Sequence, residues 1–81
     1  MEKTHVLQVI ETHLRRAAAT APDGPIDPTK KLSDYGVNSL DVVEIVSGSM
    51  RELKVRIPRT ELSDIKNIEG LADKFLQYSA N

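Results

Sequence analysis

Eighty-one residues with a net charge of -1 and no cysteine set narrow limits on what this chain can be. The length suits one small domain, residues 1–81, of modest stability. The charge argues against nucleic acid, which asks for a basic face, and the missing cysteines exclude disulfides, thiolate metal sites and any protein-borne thiol.

No apolar run approaches the length that spans a bilayer. The start, Met1-Glu2-Lys3-Thr4-His5, lacks the charged-then-apolar layout of a signal peptide, so the expected location is the cytoplasm. With Tyr35, Phe75 and Tyr78 as the only aromatics, the core has to be aliphatic.

In chain order, Val6, Leu7, Ile10, Leu14, Ala17 and Ala18 fall at the three-and-four spacing of an amphipathic helix over residues 4–19, with Thr4 as its expected cap. Arg15 and Arg16 suit the negative end of its dipole. His5 and His13 stand eight residues apart, too far for an adjacent-turn metal pair, and read as solvated. Residues 20–38 break the pattern. Ala21-Pro22-Asp23-Gly24-Pro25 and Asp27-Pro28 are turn chemistry, and a loop this long is usually functional or disordered. Ile26, Leu32, Tyr35 and Val37 are spaced as anchors that pin it, with a short helical turn over residues 29–33.

A second helix is expected over residues 39–53. Leu40, Val43, Val46, Met50 and Leu53 form its apolar stripe, Val42 and Ile45 widen it, and Asp41 and Glu44 share the opposite face. Ser47-Gly48-Ser49 interrupts it, since a mid-helix glycine costs about 1 kcal/mol relative to alanine. A close helix contact or a small packing gap explains it best. No strand precedes it and no Gly-Lys comes after it, so it is not a phosphate loop. Residues 54–59 read as an extended link with Val55 and Ile57 inward and Pro58 near its end. A short third helix over residues 60–65 offers Leu62 and Ile65 to the core. Asn67 caps a last helix over residues 68–78, with Ile68, Leu71, Ala72, Phe75 and Leu76 buried. The expected fold is all-α, a small four-helix bundle of three main helices and a short third one, with a long loop between the first two.

The chain is organised around Asp34-Tyr35-Gly36-Val37-Asn38-Ser39-Leu40-Asp41. It turns at Gly36, meets a cap residue at Asn38, and enters the second helix with a hydroxyl at its first position. Asn38 can accept an unpaired first-turn amide, and Asp41 three residues on favours the positive end of the helix. A phosphate on Ser39 would meet free amides and a favourable dipole.

Gly36-Val37-Asn38-Ser39-Leu40-Asp41 resembles the modification motif of acyl carrier proteins, usually Asp-Ser-Leu after an upstream glycine. The likeness extends over residues 26–78 and includes Val55-Arg56-Ile57-Pro58. It implies that Ser39 carries a covalent 4′-phosphopantetheine arm, donated by coenzyme A through a phosphopantetheinyl transferase with Mg2+ in that enzyme's site. The arm's thiol would hold acyl groups as thioesters. Asn38 replaces the usual aspartate, so a partner that reads a carboxylate there would bind less well.

The resemblance also implies an acyl shelter between the second and third helices, with Val43, Ile45, Val46, Ile57, Leu62 and Ile65 as candidate lining residues, all of them ordinary core positions as well. In that shelter Ser47-Gly48-Ser49 would be extra room or polarity. Leu40, Asp41 and Glu44 are the implied docking residues. Arg51, Lys54, Arg56 and Arg59 depart from the family's acidic pattern and imply partners with a mixed-charge footprint. Acyl-loading, synthase or acyltransferase enzymes are the implied partners, and the chain is expected to be a monomer.

Catalysis by Ser39 does not fit. A hydrolase elbow needs glycine two before and two after the serine, where Val37 and Asp41 stand, and neither histidine is placed to activate it. The reading is a non-catalytic carrier for fatty acid or polyketide-type biosynthesis. Its rivals are an aminoacyl or peptidyl carrier loaded by an adenylating ligase, and an unmodified helical adaptor.

Overall fold

A computed structural model describes residues 2–18, 24 and 26–79, apart from the side chains of 63 and 64. Three α-helices, α1 Lys3–Ala17, α2 Ser39–Leu53 and α3 Ile68–Ser79, are joined through two 3-10 segments, Leu32–Tyr35 and Arg59–Asp64. The all-α bundle expected from periodicity is present, and its short third helix is the second of these 3-10 segments. Both α2 and α3 pack mainly against α1. Val6, Ile10, Leu14, Ile45, Val46, Ile68, Leu71 and Phe75 are almost wholly excluded from solvent, the centre of a core that is aliphatic apart from Phe75 and Tyr35.

Several local expectations need correction. The first helix begins at Lys3 with Glu2 as its cap and no side-chain cap bond, so Thr4 lies inside the first turn. The helix ends at Ala17, because Ala18 is already extended (φ -101°, ψ 113°). The expected end at Ala19 and most of the proline-rich turn lie outside the described residues.

The helical turn expected over residues 29–33 sits instead at Leu32–Tyr35. Asp27 explains the shift. Its carboxylate accepts both the amide (2.9 Å) and the hydroxyl (2.6 Å) of Thr29, making a side-chain-closed turn that competes with helix. The same two bonds hold the Asp27 carboxyl below its usual pKa, the hydroxyl contributing most. Leu32 and Tyr35, three apart, then both point into the core.

The long loop is stitched down by its expected anchors. Ile26, Leu32 and Tyr35 are buried, Val37 is half-buried against the core, and the Tyr35 hydroxyl accepts the Asp27 amide (2.8 Å) and donates to the Asp27 carbonyl (2.9 Å). Asn67 ties the loop to α3. Its Oδ1 caps the Gly70 amide at 2.7 Å and its Nδ2 donates to the Thr29 carbonyl at 3.3 Å. Arg15 of α1 reaches the Gly24 carbonyl at 2.7 Å.

The glycine in α2 is a close helix contact. A methyl carbon built on Gly48 would stand 2.5 Å from Nδ1 and 2.7 Å from Cε1 of His13. The His13 ring lies flush on the α2 backbone, with its Nε2 at 3.0 Å from the Glu52 carboxylate. His13, read as solvated, is therefore a packed interhelical residue with only 16% of its side chain exposed. Beside it Ser49 is fully buried, and its hydroxyl has no hydrogen-bond partner among the described residues. Leu76, expected in the core, is half-buried at its edge.

Candidate functional site

The residues before α2 build its start step by step. Gly36 ends the first 3-10 segment in the left-handed region (φ 76°, ψ 18°), a conformation that favours glycine because a Cβ would crowd the backbone. The chain then extends through Asn38 and enters α2 at Ser39. Asn38 Oδ1 accepts the Asp41 amide at 2.9 Å, and Asp41 Oδ2 accepts the Asn38 amide at 3.1 Å. This reciprocal capping box fixes where the helix begins.

One carboxylate oxygen of Asp41 is thus committed locally. The first amide inside the helix ladder belongs to Val42, bonded to the Asn38 carbonyl at 3.0 Å. Between cap and ladder, the amides of Ser39 and Leu40 have no partner among the described residues. Ser39 itself is exposed at this helix start. A hydroxyl at a helix start with unpaired amides fits a phosphodiester group, since those donors and the dipole both favour the negative charge.

Ser39 is also the first residue of a groove of about 890 Å³. One wall is a single stripe of α2, Ser39, Val43, Ser47 and Met50, at steps of four, four and three residues, with Val42 beside it. The other is formed by the link and the second 3-10 segment, through Arg56, Ile57, Pro58, Arg59 and Leu62. The two walls are joined where the Met50 sulfur accepts the Ile57 amide at 3.3 Å. The second 3-10 segment is held to α3 by Glu61, whose carboxylate receives Lys74 Nζ at 2.7 Å and the Tyr78 hydroxyl at 3.1 Å. These bonds lower the Glu61 pKa, Lys74 contributing most. The Tyr78 pKa is raised, by burial first and by Glu61 second.

The structure separates the residues singled out from sequence. Val43, Ile57 and Leu62 line the groove beside Ser39. Ile45 and Val46 are 1% exposed in the central core and do not line it, because they sit on the buried face of α2, turned away from the groove. Ile65 lies in a neighbouring depression with Leu32, Val37 and Ser39. Ser47, expected there as extra polarity, also lines the groove, and so do Val42 and Met50, which had not been singled out for it. Their four-residue and three-residue spacing from Ser39 is the signal that identifies them.

Leu40 is 76% and Val43 51% exposed, so the stripe expected to be buried is open at its N-terminal end. Glu44 is exposed and Asp41 half-buried by the cap. Of the basic residues, Arg56 and Arg59 line the groove, whereas Arg51 and Lys54 lie beyond it at the end of α2. No helix among the described residues is long and apolar enough to cross a membrane.

Comparison with known proteins identifies the family. The family model described as "Phosphopantetheine attachment site" matches residues 6–75. The polyketide biosynthesis acyl-carrier-protein AcpK of Bacillus subtilis is 32% identical over 90% of this chain and 89% of its own length. The chloroplastic acyl carrier protein 1 of Hordeum vulgare is 38% identical over 64% of this chain and 36% of its own length. Among solved structures, a chain of the curacin biosynthetic pathway HMG synthase in complex with acetyl donor-ACP superposes with a TM-score of 0.81 at 40% identity, covering 93% of this chain and 96% of that one. The chain belongs to the phosphopantetheine attachment-site family, the acyl carrier proteins, non-catalytic carriers whose cofactor is a covalently attached 4′-phosphopantetheine and which are themselves substrates of other enzymes.

Proposed function

We propose that Ser39 bears the arm and that the protein carries acyl intermediates as thioesters for polyketide-type assembly. The observation that carries this reading is an exposed Ser39 at a helix start with two unpaired amides, on the lining of a groove. In the modification, catalysed by a phosphopantetheinyl transferase, the Ser39 oxygen displaces 3′,5′-ADP from coenzyme A and its proton leaves to that enzyme. Once attached, the arm supplies the thiol that the chain lacks.

The chain's own residues position and shelter. The Asn38–Asp41 box holds the helix start in place, and the amides of Ser39 and Leu40 face the new negative charge. Val43, Ile57 and Leu62 offer apolar wall to a short acyl group, at about 0.8 kcal/mol per methylene buried. Leu40 and Glu44, with the outer edge of Asp41, form the docking face for acyl-loading, synthase and acyltransferase partners. Arg51 and Lys54 give that face a basic far end. Polyketide assembly is favoured over housekeeping fatty acid synthesis by the likeness to a polyketide carrier and to a structure solved with an HMG synthase. An enzyme of that synthase type is accordingly a proposed partner.

The test is intact mass after incubation with coenzyme A and a broad-specificity transferase. The protein gains one arm, and Ser39→Ala gains none. If neither the unmutated protein nor an Asn38→Asp variant gains mass, the reading is wrong and an unmodified adaptor takes its place.

A further inference from the structure

Two arginines on the groove wall are not what a shelter for a plain hydrocarbon chain calls for. Arg56 and Arg59 line the same groove as Ser39, on the wall opposite α2. Neither has an ion-pair or hydrogen-bond partner among the described residues. Ser47 adds a hydroxyl to the facing wall. The deep apolar residues that would extend the shelter inward, Ile45 and Val46, are sealed in the core at 1% exposure. The α2 wall from Ser39 to Met50 runs eleven residues, about 16 Å at the helical rise. A long alkyl chain laid there would run along walls that include two arginines and a serine, in a groove partly open to solvent.

We propose that this groove selects short acyl groups ending in a carboxylate, received by the guanidinium groups of Arg56 and Arg59. Arginine suits the task, because its planar fork pairs with a carboxylate through two charge-assisted bonds and keeps its charge at any working pH. The proposal rests on Ser39 as the point of attachment. The anion could also be the phosphate of the arm, which is the same chemistry from a different source, so the test separates the two.

The full chain is loaded from coenzyme A, malonyl coenzyme A and acetoacetyl coenzyme A by a broad-specificity transferase, with intact mass verifying each product. Malonyl and acetoacetyl groups are near-isosteric and differ in the terminal charge. In isotope-labelled protein the Arg56 and Arg59 Nε–H resonances shift with the malonyl form, and do not shift with the acetoacetyl or free-thiol forms. The malonyl thioester is cleaved by hydroxylamine roughly three- to tenfold more slowly than the acetoacetyl one, each measured against the same acyl group on free pantetheine, as suits one or two partly exposed charge-assisted contacts. That difference disappears in Arg56→Gln with Arg59→Gln, and shrinks at 1 M salt, where the screening length falls to about 3 Å.

Equal shifts and equal cleavage for the two acyl groups overturn the proposal. So do shifts already complete in the free-thiol form, which assign the anion to the arm's phosphate. Absence of any mass gain, in the unmutated protein and in Asn38→Asp alike, removes the Ser39 reading, and this proposal with it, and is distinguished from the other failures at the first step.

Discussion

Gly48→Ala puts two effects of opposite sign against each other within one methyl group. Helix propensity alone favours alanine by about 1 kcal/mol. The added carbon, however, would lie 2.5, 2.7 and 3.2 Å from three atoms of the His13 ring, all well inside van der Waals contact. His13 cannot swing away freely, since its side chain is only 16% exposed and its Nε2 is paired with Glu52 at 3.0 Å. Overpacking of this kind costs typically about 1–3 kcal/mol. The expected net effect is a loss of roughly 1 kcal/mol, or about 4–8 °C in Tm for a domain of this size. Urea unfolding at fixed slope measures it. In a His13→Ala background the obstruction is gone, and the same Gly48→Ala change stabilises by about 0.5–1 kcal/mol. A sign reversal between the two backgrounds is the signature of the contact. Stabilisation by Gly48→Ala with His13 present would refute the reasoning.

Other expectations rest on single features of the structure. Lys54 ends α2 in the left-handed region (φ 57°, ψ 37°), so Lys54→Gly raises stability by about 1 kcal/mol in thermal or urea unfolding. Asn38→Ala removes the cap on the Asp41 amide and costs about 1 kcal/mol by the same assays, whereas Asn38→Asp keeps the cap and adds a charge at the favourable helix end. The lowered pKa of Glu61 means that its pairing with Lys74 and Tyr78 contributes above its unfolded value of 4.5 and is lost as pH falls through the lower folded value. Unfolding midpoints measured from about pH 7 down to about pH 3 therefore decline less steeply in Glu61→Gln. Tyr78, raised above 10.0, adds the opposite limb: its contribution is present below pH 10 and disappears as pH climbs through the folded value.

Residues 34–41 show how far local chemistry carries. The left-handed glycine, the asparagine cap, the reciprocal aspartate and the serine at the first helical position are all decided by neighbours within four residues. All are found where sequence rules place them. The same holds for Asn67 at the start of α3. By contrast, the turn expected over residues 29–33 is displaced because the Asp27 carboxylate competes for Thr29, an interaction that periodicity does not register.

The sequence by itself determined the three main helices, the aliphatic core and the serine that begins α2, because capping and helical periodicity act over short distances along the chain. Only the tertiary structure decided which face of α2 is buried. Ile45 and Val46 are sealed in the core, whereas Val43 and Ser47 line an open groove, since two apolar stripes on one helix cannot be ranked until a neighbour covers one of them. It also turned the interrupting glycine into the seat of His13, and placed Arg56 and Arg59 on the groove that begins at Ser39. Those outcomes depend on segments 17 to 35 residues apart meeting in space, and no rule of local spacing contains that information.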